Sequence, residues 1–259
     1  MSPSQTADLQ SRCDLLRSLH RPGDPLLLPN AWDVATARAV VAAGFPVVAT
    51  TSVGVAATLG YEDHEAPPDE MLAAAARIAR DVDVPVTVDA EAGYGTQPAE
   101  LVAALRAAGA AGCNLEDTDH AAGRLRDPDR HAEWLGAIRR AAAEDGYPLV
   151  INARVDVFLG PWLAGAPGSQ EQFLPDALRR AHAYLEAGVD SVYPIALWEP
   201  DALRSFVSDV RSPVNALRVP QSSSLAELAA LGVARVSWGP LLYREAMARF
   251  EDRLASLQE

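Results

Sequence analysis

Val86-Thr87-Val88-Asp89-Ala90-Glu91-Ala92-Gly93-Tyr94-Gly95 is a short apolar, β-branched run that ends in two carboxylates and breaks into a glycine-punctuated turn. On an extended backbone, residues i and i+2 point to the same side. That spacing places Asp89 and Glu91 together at the end of a strand. Two like charges so placed repel unless something positive sits between them. A hard divalent cation with oxygen ligands meets that need, and a solvated acidic turn is the plainer reading.

Outward from this stretch, short β-branched runs alternate with longer Ala/Leu/Arg segments. Strands are expected at 25–29, 46–50, 85–89, 112–116, 148–153, 191–195, 213–216 and 234–238. An amphipathic N-terminal helix is expected at about 5–20, and further helices at 33–43, 68–81, 97–108, 129–144, 171–187, 199–208, 224–230 and 240–257. Apolar residues recur at helical spacing, as in Leu101, Leu105 and Ala108, and several helices stop on glycine, as at Gly44, Gly109, Gly188 and Gly232. Strict βα alternation implies parallel strands joined by right-handed crossovers. Eight units in 259 residues fit a closed (β/α)8 TIM barrel. No GxGxxG turn follows the first strand, which weighs against an open dinucleotide-binding sheet. No linker divides the chain, and 160–168 reads as a loop insertion, so residues 1–259 are expected to form one domain.

Composition narrows the function. Hydrophobic residues make up 49% of the chain and mean hydropathy is -0.01, values of a globular protein. A formal net charge of -13 argues against nucleic acid or an anionic membrane as partner. No apolar run reaches the roughly 20 residues of a membrane span. Residues 1–14 lack the layout of an export signal, so a cytoplasmic location is expected. Cys13 and Cys113 are the two cysteines and make neither a disulfide framework nor a zinc motif. A small carboxylate is the expected partner.

Active sites of (β/α)8 barrels lie where strands end and βα loops begin. Carboxylates cluster there: Asp63 in the second loop, Asp89 and Glu91 after the third strand, and Glu116 at the fourth. These four are the candidate cation ligands. Oxygen donors suit Mg2+, with Mn2+ as the alternative ion, and no paired histidines stand near them in sequence to suggest zinc. Arg154 and Asn152 end the fifth strand. Arg154 can hold a carboxylate bidentately or simply pair with Asp156 or Glu116. Thr51, Ser52 and Val53 offer N–H groups and hydroxyls to a carboxylate, or form a plain tight turn. His120 can donate a proton near neutrality or merely cap a helix. Arg124 and Arg126 can close over an anionic substrate or balance nearby acids. His20, His64, His131 and His182 carry no signal beyond surface or helix positions. The candidate catalytic residues are therefore Arg154, His120 and Glu116; the candidate substrate contacts are Thr51, Ser52, Val53, Asn152 and Arg124.

These motifs resemble the isocitrate lyase/phosphoenolpyruvate mutase superfamily. VDAEAGYG (88–95), GCNLED (112–117) and NARVDVF (152–158) are similar to its successive strand-end motifs, and LPNAWD (28–33) and TTSVGVAATLGYED (50–63) agree in order and spacing. The resemblance implies a (β/α)8 barrel with Mg2+ held mainly at Asp89, and Glu91, Glu116 and Asp63 acting through metal-bound waters. It also implies a carboxylate site at Thr51, Ser52 and Val53, Arg154 as a substrate contact, and assembly as a homodimer or homotetramer. One loop departs from the pattern. Residues 118–127 (TDHAAGRLRD) contain neither the lysine nor the cysteine of the lyase loop, and the mutase's gating loop is missing too. Cys113 lies inside a strand and is expected to be core.

The expected function is Mg2+-dependent carbon–carbon cleavage of a small 2-hydroxy or 2-oxo di- or tricarboxylate through an enolate intermediate. Oxaloacetate decarboxylase or hydrolase, phosphonopyruvate hydrolase and P–C mutase share the same metal and enolate. A carboxylate-binding barrel or a structural subunit is the non-enzymatic alternative.

Overall fold

Residues 3–165 and 168–257 are described by a computed structural model. Its eight barrel strands are β1 (Leu26–Leu28, resuming after Pro29 as Asn30–Ala31), β2 (Val48–Thr50), β3 (Val86–Asp89), β4 (Gly112–Glu116), β5 (Val150–Val155), β6 (Ser191–Pro194), β7 (Asn215–Leu217) and β8 (Arg235–Ser237). All barrel pairings are parallel. The barrel closes at β1. Its first half pairs with β8 and its second half with β2. Pro29 between them lacks an N–H and cannot donate to either ladder. Asn30 fastens the seam: its Nδ2 donates to Thr50 O at 2.8 Å and its Oδ1 accepts from Trp238 N at 2.9 Å. An isolated bridge from Val192 to Val214 joins β6 to β7.

The helices are α1 (Pro3–Ser18), α2 (Val34–Ala42), α3 (Ser52–Leu59), α4 (Pro68–Asp81), α5 (Pro98–Ala108), α6 (Pro128–Glu144), α7 (Leu159–Leu163), α8 (Leu174–Glu186), α9 (Pro200–Val210), α10 (Leu225–Ala230) and α11 (Leu241–Ala255). Proline at the first turn of α4, α5, α6 and α9 costs no hydrogen bond and presets the helical φ. None of the described helices is long and apolar enough to cross a membrane. α1 lies across the N-terminal end of the barrel. Its Leu9, Cys13 and Leu16 are buried, and a Cβ on Gly112 would come within 2.7 Å of Leu16.

Two helices differ from the sequence expectation. Residues 52–59 form α3, because Ser52, Gly54, Val55 and Ala56 are all buried and leave no amphipathic stripe to read. α7 occupies part of the expected insertion loop, of which 166 and 167 lie outside the described residues.

Below the strand ends the barrel interior is polar, where branched apolar layers are usual. Asn152 Nδ2 and Arg235 Nη2 both donate to Asn114 Oδ1, at 2.9 and 3.0 Å, and Ser191 Oγ donates to Asn152 Oδ1 at 2.7 Å. Cys13 and Cys113 are buried free thiols, both pushed up to about 12 by desolvation. Cys113 is a core residue, as its position in a strand predicts.

His20 and His131 are buried with both ring nitrogens unpartnered, and burial lowers each to about 3. In the unfolded chain a histidine titrates near 6.5. Between these values the unfolded state binds protons that the folded state refuses, so stability falls as pH drops below about 6.5. His131 packs on Trp134 and Tyr184, contacts that phenylalanine can keep. His131→Phe is therefore expected to remove about 2 kcal/mol of the stability lost between pH 7 and 5. Urea unfolding at both pH values measures it; an unchanged loss contradicts the assignment.

Candidate active site

The strand-end chemistry converges on one mouth of the barrel. A cavity of about 180 Å³ opens there, lined on one side by Thr51, Ser52, Asp89, Asn114 and Arg154 and on the other by Leu159, Trp162, Ile195, Leu217 and Leu241. Thr51 is the N-cap residue of α3 but its side chain makes no capping bond. The unsatisfied N–H groups of a helix start favour an anion. One already has an acceptor: Ser52 N donates to Asp89 Oδ2 at 3.2 Å.

Asp89 ends β3, held by Thr50 Oγ1, which accepts from its backbone N–H at 2.9 Å. Desolvation raises its carboxyl above the usual range; Arg154 and the Ser52 amide pull the other way, and Glu91 and Asp63 raise it further. An anion held at such cost is relieved by a cation.

Glu91 reaches the site by a route other than strand alternation. β3 stops at Asp89, and Glu91 sits in the turn with φ 50°. His64 and Tyr94 are also left-handed, at φ 67° and 55°. Left-handed backbone is strained for such residues and persists where surrounding structure imposes it. Gly93 is required in that turn. Its φ is 80°, and a Cβ would come within 2.5 Å of the Trp134 ring.

The acids meet around two imidazoles. His64 Nδ1 lies 3.1 Å from Glu91 Oε2 and 4.0 Å from Glu116 Oε1, and its Nε2 lies 3.1 Å from Asp63 Oδ2. His120 Nε2 contacts Glu116 Oε1. The two rings stack with centroids 3.7 Å apart. Burial alone would lower His64, but the Glu91 hydrogen bond and the charges of Asp63 and Glu116 outweigh it and bring it to about 9.

Arg154 lines the cavity and is also tied beneath it. It donates from Nε to Asp156 Oδ1 at 2.6 Å and from Nη2 to Asp156 Oδ2 at 2.8 Å, and Nη2 pairs with Glu116 Oε2. Asp156 is fixed in turn: Thr118 Oγ1 donates to it at 2.5 Å, and its own backbone N–H donates to Asp117 Oδ1 at 2.9 Å. Asp117 faces away from the cavity and accepts from Arg180 Nη1 and Tyr184 Oη at 3.0 and 2.7 Å.

Two expected substrate contacts do not reach the cavity. Asn152 is fully buried below it, with its amide spent on Asn114 and Ser191, so its register partner Asn114 borders the cavity instead. Arg124 is exposed on a short hairpin of Thr118–Asp119 with Arg124–Leu125, which carries it outward. Arg126 donates to Ala92 O at 3.3 Å and lies over the Trp134 ring, bracing the glycine turn. His120 stands outside the cavity lining, turned to Glu116, whereas His64 lines it. His64 is the residue that sequence reading missed. Its neighbour Asp63 is the available signal, since a loop acid drawn to the site brings its neighbour along. The expectation that no histidine pair attends the acids is therefore overturned.

Residues 16–258 match the family model described as phosphoenolpyruvate phosphomutase. The chain belongs to the phosphoenolpyruvate phosphomutase family. This places it in the isocitrate lyase/phosphoenolpyruvate mutase superfamily that its motifs resemble, whose members are enzymes. It is 30% identical over 217 residues to the 2-methylisocitrate lyase of Escherichia coli K12, covering 76% of this chain and 70% of that one. An uncharacterized Mycobacterium tuberculosis protein is 37% identical over 226 residues, covering 87% of this chain and 81% of the other. Among solved structures, phosphonopyruvate hydrolase complexed with oxalate and Mg2+ superposes with a TM-score of 0.81 at 24% identity, over 95% of this chain and 87% of that one. It shares the barrel fold of this phosphoenolpyruvate phosphomutase family member.

Proposed function

We propose that the protein is a Mg2+-dependent carbon–carbon lyase for a small 2-hydroxy or 2-oxo di- or tricarboxylate. The observation that carries this reading is the cavity itself, where an α3 N-terminus, a desolvated Asp89 and Arg154 face one volume of about 180 Å³. The residues fit a cation: Asp63 Oδ1 and Glu91 Oε1 are buried oxygens without a partner, beside Asp89. Asp89 would hold it, with Glu91, Glu116 and Asp63 around it. When bound, such an ion polarises oxygen and stabilises enolate charge. The start of α3, with Thr51, Ser52 and Val53, binds the substrate carboxylate, and Arg154 orients it. A 2-hydroxy substrate gives its C2 hydroxyl proton to a carboxylate of the acidic cluster and its C2–C3 bond breaks; a 2-oxo substrate first adds water at C2 to supply that hydroxyl. The electron pair of the broken bond enters the enolate of the departing carboxylate, which takes up a proton at C3; the other product of a 2-hydroxy substrate is a 2-oxo acid.

The apolar wall of Leu159, Trp162, Ile195, Leu217 and Leu241 suits a compact substrate. The relationship to 2-methylisocitrate lyase supports cleavage of a carbon–carbon bond, and the Mg2+ and oxalate of phosphonopyruvate hydrolase support the ion. Homo-oligomeric assembly belongs to the same reading: α11 exposes Met247, Phe250 and Leu254 as an apolar face. A cytoplasmic location completes it.

Incubation with Mg2+ and a panel of such acids together with phosphonopyruvate, following 2-oxo acid, CO2 and phosphate separately, tests the reaction. A lyase releases 2-oxo acid and a second carboxylate with neither CO2 nor phosphate. CO2 release would assign a decarboxylase instead, and phosphate a phosphonopyruvate hydrolase. Ligand binding without turnover of any panel member contradicts an enzyme of this class.

A further inference from the structure

The chain has four asparagines, Asn30, Asn114, Asn152 and Asn215, and all four stand on barrel strands, where asparagine is a depleted residue. Three of them spend their amide N–H groups inside the protein. Asn30 Nδ2 donates to Thr50 O at 2.8 Å, Asn152 Nδ2 to Asn114 Oδ1 at 2.9 Å and Asn215 Nδ2 to Ser237 Oγ at 3.2 Å. Asn114 differs. Its Nδ2 has no acceptor among the described residues, and its side chain lines the cavity beside Asp89, its register partner on β3. We propose that Asn114 binds the ligand, its Nδ2 donating to an oxygen of the bound acid, and that Arg235 on β8 is the positioning residue that fixes this orientation.

The two ends of an asparagine amide are nearly alike in outline, so its neighbours decide which way it faces. A guanidinium can only donate. Arg235 Nη2 lies 3.0 Å from Asn114, and the atom that meets it is therefore the oxygen, Oδ1. Asn152 Nδ2 fills the second lone pair of that oxygen, and Ser191 Oγ donates to Asn152 Oδ1 at 2.7 Å. The whole chain of bonds thus runs one way, with Arg235 setting its direction. Turning Asn114 over would set its NH2 group against two donors. Arg235 is fully buried, and the bond to Asn114 is its one side-chain hydrogen bond among the described residues. With Oδ1 saturated, what remains of Asn114 is a pair of N–H groups on a half-buried side chain at the cavity. A bound acid therefore meets a neutral donor fixed in place, in addition to the start of α3 and Arg154. Such a donor favours an oxygen at that point and disfavours an N–H.

This role rests on the reading of the cavity as a carboxylate site, and two measurements on the full-length protein keep them apart. Labelling the asparagine side chains with 15N gives four NH2 pairs in a heteronuclear NMR spectrum. With Mg2+ present, oxalate is expected to move one pair downfield well beyond the other three, and that pair should be missing from Asn114→Ser. In Arg235→Met the amide is free to turn, so the oxalate shift of the same pair should shrink while the Asn30 pair stays in place. Calorimetry should find oxalate about tenfold weaker in Asn114→Ser, the loss of one hydrogen bond to a charged ligand. Should the serine variant fail to fold, Asn114→Asp keeps the oxygen that Arg235 and Asn152 need and still deletes the NH2 pair. Oxalate that binds without moving the Asn114 pair, or binds Asn114→Ser as tightly as the unaltered protein, overturns the proposal and leaves the carboxylate site standing. Absence of oxalate binding, with or without Mg2+, overturns both.

Discussion

Asp89→Ala is expected to lower Mg2+-dependent turnover about a thousandfold without unfolding the protein. The carboxylate at the end of β3 is the candidate direct ligand, and loss of the ion's electrostatic stabilisation is worth about 4 kcal/mol in the transition state. Stability should move the other way. Desolvation raises the Asp89 carboxyl, so the charged form is held at a cost in the metal-free fold. Removing it relieves that cost, and metal-free Asp89→Ala should melt at or above the temperature of the unaltered protein. The stabilisation that Mg2+ confers by binding the folded state should vanish. Thermal melts with and without Mg2+, beside initial rates, separate the two effects. Turnover within tenfold of the unaltered enzyme would make the cation assignment wrong.

Arg154→Met is expected to damage both stability and activity. The guanidinium is 7% exposed and bridges two carboxylates, Asp156 through two hydrogen bonds and Glu116 through an ion pair. Deleting one member of a buried ion network leaves charge uncompensated, at a cost of about 3–5 kcal/mol. Arg154→Lys keeps the charge but loses the planar fork, so it should recover part of the stability and little of the activity. The expected fall in kcat/KM for methionine is at least about a hundredfold, since orientation of the substrate carboxylate is lost with the charge. Urea midpoints and steady-state rates for both variants check this. A methionine variant as stable as the parent would show that Glu116 and Asp156 are satisfied by other groups.

The barrel was legible because alternation, glycine stops and strand lengths all point to one architecture. What escaped was local and has physical causes. α3 is buried along much of its length, so the period that reveals a surface helix is absent from Ser52 to Leu59. The hairpin after β4 is two residues to a strand and only half-buried, and with it the exposed Arg124 leaves the site. Strand alternation places Glu91 with Asp89, yet the strand ends first and a left-handed turn delivers its carboxylate. His64 enters by a left-handed residue in a loop, a conformation that no spacing rule reports. Asn152 follows the alternation and does point inward, but its amide is spent on Asn114 and Ser191 and it stays out of the cavity lining. Spacing finds the face a residue occupies; it does not find depth.

In the proposed reaction a cation at Asp89 creates the carboxylate site between α3 and Arg154. Oxalate, whose adjacent oxygens match those of the 2-oxo acid product, reports on it through calorimetry of the full-length protein with and without Mg2+. The expected result is oxalate binding that requires Mg2+ and is lost in Asp89→Ala. Oxalate binding of equal strength without Mg2+, or in Asp89→Ala with Mg2+ present, would contradict it.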